Sequence, residues 1–301
     1  MVSRNAFQWV WPCRFMKLVG PADDFCMNLA QHLGSEFVEM ERRRFPDGEI
    51  NPRIQKAPAE VLLVNTLSSQ NFDPNRYLLE YIFSIKNLRE QGTERIVLVL
   101  PYLPYSRQDV VFKKGESFTS KYVLEIFRDL AITDVFAVSF HLHRQRAVQL
   151  VEGITLHDIS GFDALGDYLN QYQLKDPLCV APDEEAGKWA QKMAEKVKGG
   201  VAVLKKRRDL TTGAVKTSGE IPEGRTVIIV DDMISTGGTI RNALDICRKF
   251  KSKTVLAAAV HGIFSVPITL NIEIITTNTI ENPYAKVDVT PYVARAIAQE
   301  L

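Results

Sequence analysis

Short apolar runs alternate with longer amphipathic segments along most of the chain. About nine of the apolar runs have the length of strands, and several lack polar residues, which is typical of strands covered on both faces. The predicted strands are 17–20, 61–65, 95–100, 134–140, 178–181, 200–204, 226–230, 254–260 and 272–276. The amphipathic segments predict helices at 23–33, 76–91, 120–129, 161–172, 186–197, 239–250 and 291–300. This alternation predicts an α/β fold in which crossover helices join mainly parallel strands.

The strand and helix pattern restarts between His141 and Pro177, so two domains of similar kind are favoured over one wide sheet. The length of 301 residues agrees with two domains. Residues 1–15 contain an early arginine and two tryptophans but no continuous apolar core, so they make a poor secretory signal. The predicted units are an N-terminal extension at 1–15, an N-terminal domain at 16–150, a C-terminal domain at 151–288 and a C-terminal helix at 289–301.

The charge balance changes the range of expected partners. The chain has 37 Lys and Arg residues against 36 Asp and Glu residues, which leaves a formal net charge of +1. Without a basic excess, binding to nucleic acid or to a membrane surface is not expected. The 4 cysteines are scattered, which argues against a disulfide framework or a structural zinc site and agrees with a reducing cytoplasm. The most apolar stretch, 254–270, is interrupted by polar and turn residues, so no membrane span is expected.

The strongest local motif lies at residues 227–240. An apolar strand ends in Asp231 and Asp232, and a loop of small and hydroxyl residues then enters a helix. Small residues allow close approach of the backbone to an anion, and the helix N-terminus offers unpaired N–H groups. The predicted phosphate-binding residues are Ser235, Thr236, Gly237, Gly238 and Thr239. The two carboxylates would accept hydrogen bonds from a sugar diol, so the motif indicates a ribose phosphate; the alternative is an acidic strand end before an ordinary capped helix.

Three further segments carry polar side chains. Residues 44–49 read Arg-Phe-Pro-Asp-Gly-Glu, residues 101–109 read Pro-Tyr-Leu-Pro-Tyr-Ser-Arg-Gln-Asp, and residues 205–209 read Lys-Lys-Arg-Arg-Asp. Taken alone, they would be a turn between strands, a polar loop and a solvated basic patch.

Together these motifs carry a resemblance to a known family. Residues 227–240 resemble the ribose-phosphate-binding motif of the phosphoribosyltransferase fold, and the other segments resemble the nucleotide-binding segments and the catalytic flexible loop of ribose-phosphate pyrophosphokinases. The resemblance covers about residues 16–301 and is nearer the archaeal-type enzymes. It implies two phosphoribosyltransferase-like (Rossmann-like) domains, each a mainly parallel sheet flanked by helices.

The resemblance also implies an activity and its residues. The expected reaction transfers the β,γ-pyrophosphoryl group of ATP to the anomeric hydroxyl of ribose 5-phosphate, giving AMP and 5-phosphoribosyl 1-pyrophosphate. The residues implied to bind ATP are Phe45, Asp47, Gly48, Glu49, Arg107 and Gln108. In the family, the segment that contains Phe45 comes from a neighbouring subunit, so a homo-oligomer with an interfacial ATP site is expected.

Lys206 and Arg208 match the catalytic lysine and arginine of the flexible loop, and Arg208 is also expected to contact ribose 5-phosphate. His143 and Asp183 match the positions associated with a divalent metal, for which Mg²⁺ is expected and Mn²⁺ or another divalent ion is the alternative. Without the resemblance, His141-Leu-His143 would be two polar residues at a strand end.

Three positions depart from the family pattern. His141 stands where the family usually has an aspartate, and Glu185 and Ala186 stand at two glycine positions. A carboxylate lost to an imidazole changes the expected metal affinity, and Glu185 would repel phosphates unless a cation intervenes. These departures leave open an acceptor such as ADP-ribose, or a catalytically silent regulatory subunit. A phosphoribosyltransferase, which needs a nucleobase and no ATP, is the enzymatic alternative.

Overall fold

A computed structural model of the protein describes residues 16–141, 151–208 and 215–301. Of residues 206–208, 215 and 216, the backbone alone is described. The predicted extension at 1–15 and the predicted metal ligand His143 therefore lie outside the described residues.

A 7-stranded sheet occupies the first half of the chain, in the order β3-β2-β1-β4-β5-β6-β7. Its strands are β1 (Lys17–Gly20), β2 (Phe37–Arg44), β3 (Ile50–Ile54), β4 (Glu60–Val64), β5 (Arg95–Leu100), β6 (Asp134–Val138) and β7 (Thr155–Ile159). Strands β2 and β3 pair antiparallel, and the other neighbours pair parallel. The parallel part confirms the predicted crossover architecture.

A 6-stranded sheet in the order β15-β14-β13-β12-β8-β9 and a 2-stranded ribbon of β10 and β11 occupy the second half. The strands are β8 (Leu178–Ala181), β9 (Gly200–Val203), β10 (Lys205–Arg208), β11 (Val215–Ser218), β12 (Thr226–Ile234), β13 (Thr254–Gly262), β14 (Glu273–Thr277) and β15 (Ala285–Val287). All pairings in the larger sheet are parallel, whereas the ribbon is antiparallel.

Helices flank both sheets, and each predicted helix is present within a few residues of its expected bounds. They are α1 (Asp24–Leu33), α2 (Pro74–Glu90), α3 (Thr119–Asp129), α4 (Gly161–Leu169), α5 (Gly187–Val197), α6 (Gly238–Lys249) and α7 (Thr290–Glu300). Short 3₁₀ turns lie at Ser69–Asn71 and Asn170–Tyr172. The two mainly parallel sheets with flanking helices confirm the predicted α/β fold class.

The two sheets share one hydrophobic core. A continuous cluster of buried side chains contains Leu18 and Val99 of the first sheet and Ile228 and Leu256 of the second, together with side chains of α1, α4, α5 and α7. The C-terminal helix α7 contacts α1 and strands β6 and β7, so it packs on the first sheet. This shared core holds the carboxyl ends of strands from both sheets next to one another.

Two features of the chain path differ from the sequence expectation. Strand β7 pairs with β6 in the first sheet, although its residues follow the expected boundary at 150. Helix α4, which follows β7, contacts β13 and β14 of the second sheet, so the chain crosses between the domains there. The sequence patterns did not predict β2, β3, β7, β10, β11 or β15, which are short or carry charged and polar residues on the exposed face.

Candidate active site

A cavity of about 200 Å³ opens where the two sheets meet. It is lined by Arg107 from the first domain, by His141 after β6, and by residues 231–240 of the second domain. Side chains before and within α5 complete the lining, namely Asp183, Glu185, Ala186 and Trp189. Segments that are distant in sequence therefore come together around the predicted ribose-phosphate motif.

Strand β12 is longer than predicted, and this length positions the two aspartates. It pairs with β8 only from Val227 to Ile229, whereas on its other side it pairs with β13 as far as Ile234. Asp231 and Asp232 thus lie inside the strand rather than after it, beside an edge that β8 leaves open. The open edge gives the cavity access to both residues.

The predicted phosphate loop has a backbone that requires glycine. Gly237 has a φ of +73°, and an added Cβ there would lie 2.8 Å from Cδ1 of Ile268. Helix α6 begins immediately afterwards at Gly238, and no side chain of the described residues caps its first amides. The loop therefore presents backbone N–H groups to the cavity, which is the geometry that binds anions.

A hydroxyl from another connection joins this loop. The Oγ atoms of Ser235 and Ser265 lie 3.0 Å apart, and Ser265 follows strand β13. Ser265 was not among the predicted site residues, because the sequence offers no signal that links two serines 30 positions apart.

The carboxylates of the site are clustered. Burial, reinforced by the neighbouring carboxylates of Asp232 and Asp183, raises the pKa of Asp231 well above its usual value. Asp232 is 4% exposed, and its Oδ2 is hydrogen-bonded to Nδ1 of His141. This hydrogen bond joins the end of the first sheet to the second, so the histidine that departs from the family pattern contacts a predicted ribose-binding residue.

The turn before α5 carries the acidic residues that the sequence singled out. Asp183 accepts a hydrogen bond through Oδ1 from the N–H of Ala186 at 3.1 Å. The indole of Trp189 stacks on Phe162 at a centroid distance of 4.7 Å, and Nζ of Lys188 lies 4.2 Å from the Trp189 centroid. Trp189 was missed as a lining residue, because its place on a helix resembles that of an ordinary core residue.

The predicted ATP-binding residues lie in two separate parts of the structure. Arg107 lines the cavity, whereas Gln108 donates through Nε2 to the carbonyl of Val110 at 3.1 Å and is not among the described lining residues. Residues 45–49 form the turn between β2 and β3, in which Oδ1 of Asp47 accepts from the N–H of Glu49 at 3.1 Å. Among the described residues that line the cavity, none belongs to this turn of the same protomer.

Lys206 and Arg208 lie on β10, opposite Thr217 and Val215 of β11. Their backbone forms part of an antiparallel ribbon that follows β9. Their side chains lie outside what the structure describes.

The cavity offers oxygen donors for a hard divalent cation. Among the residues that the structure describes, no group of three or more His, Cys, Asp or Glu side chains has the arrangement of a metal site. The carboxylates of Asp183 and Asp231 nevertheless repel one another in the cavity, and a bound cation would reduce this repulsion. Their oxygen chemistry fits Mg²⁺ or Mn²⁺.

Within the described ranges, none of the helices has the length and apolar character needed to cross a membrane.

Comparison with known proteins identifies two family models along the chain. The family model for the N-terminal domain of ribose phosphate pyrophosphokinase matches residues 20–130, and the model for the phosphoribosyl transferase domain matches residues 162–267. The chain is similar to the phosphoribosylpyrophosphate synthetase from Mycobacterium smegmatis in fold, with a TM-score of 0.80, 24% identity, and coverage of 94% of this chain and 98% of that one.

Two archaeal relatives extend along most of the sequence. The ribose-phosphate pyrophosphokinase of Sulfolobus acidocaldarius is 34% identical over 286 residues, which is 89% of this chain and 95% of the relative. That of Thermococcus kodakarensis is 31% identical over 282 residues, which is 92% of this chain and 98% of the relative. With both domains matched in order, this chain is an enzyme that belongs to the ribose-phosphate pyrophosphokinase family.

Proposed function

We propose that the protein transfers the β,γ-pyrophosphoryl group of ATP to the anomeric hydroxyl of ribose 5-phosphate, with AMP and 5-phosphoribosyl 1-pyrophosphate as products. The observation that carries this proposal is the cavity in which Arg107 of the first domain faces residues 231–240 of the second. One cavity thus combines a cation from the predicted ATP segment with a loop suited to a sugar phosphate.

The ribose 5-phosphate is expected to bind along β12 and the start of α6. Backbone amides from Gly237 to Thr239 and the hydroxyl of Ser235 would hold the phosphate, because the helix N-terminus is open toward the cavity. Asp231 and Asp232 would accept hydrogen bonds from the ribose hydroxyls. The hydrogen bond from His141 fixes the orientation of the Asp232 carboxylate before the sugar arrives.

Positive side chains are expected to stabilise the transferring group. In phosphoryl-type transfer, negative charge spreads over the oxygens of the reacting group, so fixed cations lower the barrier strongly. Arg107 lines the cavity. Lys206 and Arg208, which match the catalytic loop of the family, are proposed to supply further positive charge. The hydroxyl attacks the β-phosphorus while the bond to the AMP oxygen breaks, and its proton is released to solvent or a nearby base.

A divalent cation, proposed to be Mg²⁺, would be held by Asp183 and by His143, with the Asp231 carboxylate nearby. When bound, it would neutralise charge on the ATP phosphates. The hydrogen bond from the N–H of Ala186 to Oδ1 orients the Asp183 carboxylate.

The turn of residues 45–49 supports a proposed homo-oligomer. Phe45 is half-buried, whereas Asp47 and Glu49 are exposed at the tip of the β2–β3 hairpin. Since this tip is absent from the described lining of its own cavity, we propose that it completes the ATP site of a neighbouring subunit.

The test is to mix the pure protein with ATP, ribose 5-phosphate and Mg²⁺ and to follow the reaction by phosphorus NMR. We expect AMP and an anomeric pyrophosphate to appear together, and Lys206→Ala to abolish turnover without unfolding the protein. Lys205→Ala, which changes the adjacent lysine, serves as the matched control. Binding of ribose 5-phosphate without any turnover would instead indicate a silent regulatory subunit.

A changed acceptor is the second candidate, because Glu185 lines the cavity where the family has glycine. A carboxylate at this place disfavours a closely approaching phosphate. If ADP-ribose proves a far better acceptor than ribose 5-phosphate in the same assay, this alternative replaces the first.

A further inference from the structure

A buried histidine lies at the boundary between the two domains. His261 is 1% exposed and lies near the end of β13, where it pairs in register with Met233 of β12. It is not among the described residues that line the candidate active site. The apolar cluster at this boundary draws buried side chains from both domains, among them Phe140, Ile263 and Ile280. A polar ring buried in such surroundings needs hydrogen-bond partners, and these partners indicate what the ring does.

The partners of His261 determine which ring nitrogen carries the proton. Its Nε2 lies 3.4 Å from the carbonyl oxygen of Ser139, and its Nδ1 lies 2.9 Å from Oγ1 of Thr279. A carbonyl oxygen only accepts hydrogen bonds, so Nε2 is the nitrogen that carries the proton. Burial lowers the pKa of His261 to about 4, so at neutral pH the ring is uncharged and its Nδ1 accepts from the hydroxyl of Thr279. One imidazole therefore joins a hydroxyl of the second domain to a carbonyl of the first.

The same ring contacts the segment that supplies Arg107. The rings of Tyr102 and His261 lie edge to face, with centroids 5.1 Å apart and an interplanar angle of 78°. Tyr102 follows β5 and belongs to residues 101–109, which contain Arg107. His261 thus touches the carboxyl ends of two strands of the first sheet, β5 and β6.

Ser139 has a backbone conformation that is unusual for its residue type. It directly follows β6, is 2% exposed and has a φ of +40°. Its N–H donates to the carbonyl of Ile159 at 2.9 Å, and its Oγ accepts from the N–H of Gly161 at 2.9 Å. A residue other than glycine in this region is strained, and it persists where surrounding contacts fix it, often at functional sites. Here those contacts come from the end of β7, the start of α4 and His261.

The strained turn determines where the chain leaves β6 for the active site. Phe140, the next residue, is 7% exposed and packs in the apolar cluster. His141 then reaches the cavity, where its Nδ1 is hydrogen-bonded to Oδ2 of Asp232. Two links therefore run from this turn to adjacent strands of the second sheet: the Ser139 carbonyl reaches β13, and His141 reaches β12.

We propose that His261 is a positioning residue that aligns the two domains at the active site. Through Ser139 it fixes the turn that carries His141, and through Tyr102 it supports the segment that carries Arg107. The expected effect on catalysis rests on the proposed function, in which ribose 5-phosphate binds to the second domain and Arg107 comes from the first. Loss of the link should therefore impair the alignment of the reacting groups more than the binding of the sugar phosphate.

The first experiment tests the link without turnover, by hydrogen–deuterium exchange of the full-length protein. In His261→Leu, we expect the backbone amides of residues 136–141 to exchange about 10-fold faster than in the wild-type protein, because the turn loses its contact with β13. Residues 95–100 of β5 serve as the internal reference and should not change. Thr279→Val removes the hydroxyl but keeps the shape of the side chain, so it should give a smaller change in the same direction.

The second experiment separates positioning from stability by kinetics. His261→Leu should lower kcat by about 10- to 100-fold, while the Kd of ribose 5-phosphate from calorimetry changes by less than about 3-fold. His261→Gln should recover most of kcat, because its amide N–H can donate to the Ser139 carbonyl. His157→Gln is the control, since His157 lies on β7, stacks on Phe136 at a centroid distance of 4.1 Å and should leave kcat unchanged.

These experiments distinguish three results. Wild-type exchange at residues 136–141 in both His261→Leu and Thr279→Val would show that the link does not hold the turn, and the proposal would be wrong. Equal losses of kcat and of ribose 5-phosphate affinity in His261→Leu would also overturn it, because the defect would then be in binding. If the wild-type protein shows no turnover of ATP with ribose 5-phosphate, the proposed function fails, and the exchange measurements alone decide whether His261 holds the turn. Thr279→Val serves in both experiments if His261→Leu does not fold.

Discussion

Two connections from a parallel strand to a helix differ in what they leave for a ligand. After β12, the loop enters α6 through Gly237, and no described side chain caps the first turn of the helix. After β4, the loop enters α2, where Asp73 accepts two backbone N–H groups at 3.1 and 2.9 Å and Pro74 takes the first helical position. The first helix end is open to an anion, whereas the second already holds a carboxylate.

The comparison teaches that the α/β architecture alone does not make a phosphate site. Both connections lie at the carboxyl edge of a mainly parallel sheet, where ligands commonly bind. In the connection after β4, a side-chain cap accepts hydrogen bonds from the first amides of the helix. These amides are therefore not open to an anion. Near that helix end, the side chains of Arg42, Arg44 and Arg76 line a separate cavity.

The largest expected effect comes from closing the open helix end. In Gly237→Ala, the new Cβ meets Ile268 and the backbone has a positive φ, so the loop must move. We expect ribose 5-phosphate to bind about 10- to 100-fold more weakly, since charged hydrogen bonds are lost. Calorimetric titration with ribose 5-phosphate measures the change.

Gly224→Ala is the matched control for this prediction. Gly224 has a φ of +71°, but an added Cβ has no heavy atom within 4 Å. It should lower the free energy of unfolding by about 1–2 kcal/mol and leave ribose 5-phosphate binding unchanged. Equal affinities for the wild-type protein and Gly237→Ala would show that the loop backbone does not hold the phosphate.

A second effect is expected at His261, which contacts residues of both domains. It lies on β13 beside β12, and its ring nitrogens contact Oγ1 of Thr279 at 2.9 Å and the carbonyl of Ser139 at 3.4 Å. Burial lowers the pKa of His261 from 6.5 to about 4. Between about pH 6.5 and about pH 4, the imidazole of His261 therefore binds a proton in the unfolded chain but not in the folded protein. The free energy of unfolding falls as the pH decreases through this range.

For this one group, the free energy of unfolding should fall by about 2 kcal/mol between about pH 7 and about pH 5. Other groups add their own dependence, so the test compares urea unfolding of the wild-type protein with His261→Gln at both pH values. The variant should show a shallower decrease. An identical pH dependence in the two proteins would contradict the assignment to His261.

The smallest effect concerns the capped helix. Asp73→Ala leaves the amides of Asn75 and Arg76 without their carboxylate partner, and we expect the free energy of unfolding to fall by about 1 kcal/mol. Thr236→Ala, before the open helix α6, should change it by less than about 0.5 kcal/mol, because no cap is lost there. Urea denaturation of both variants checks the contrast; equal losses of stability would show that the two helix ends do not differ.

The patterns in the sequence predicted the helices and the buried parallel strands well. A strand such as Arg95–Leu100, with five consecutive buried residues, is apolar because both of its faces are covered. Strand β2 was missed, because Met40 is its one buried residue and the segment ends in three arginines. Edge strands of this kind lack the apolar pattern on which the prediction depends.

In the predicted site, too, a local motif indicated some residues, whereas contacts between distant segments were missed. Residues 231–239 form a contiguous motif, so their residue types and spacing indicated a ribose phosphate before the fold was known. The hydrogen bond between His141 and Asp232 joins residues 91 positions apart, and no local pattern predicts it. The place of Arg107 opposite the loop, and the grouping of Arg42 with Arg76, likewise come from packing.

By itself, the sequence determined the α/β class, the positions of the helices and the ribose-phosphate motif, because each depends on periodicity or on neighbouring residues. Only the tertiary structure decided which side chains face one another across the two sheets. The shared core sets that choice by holding the carboxyl ends of distant strands together. Contacts of this kind depend on the packing of whole elements, which a local pattern does not contain.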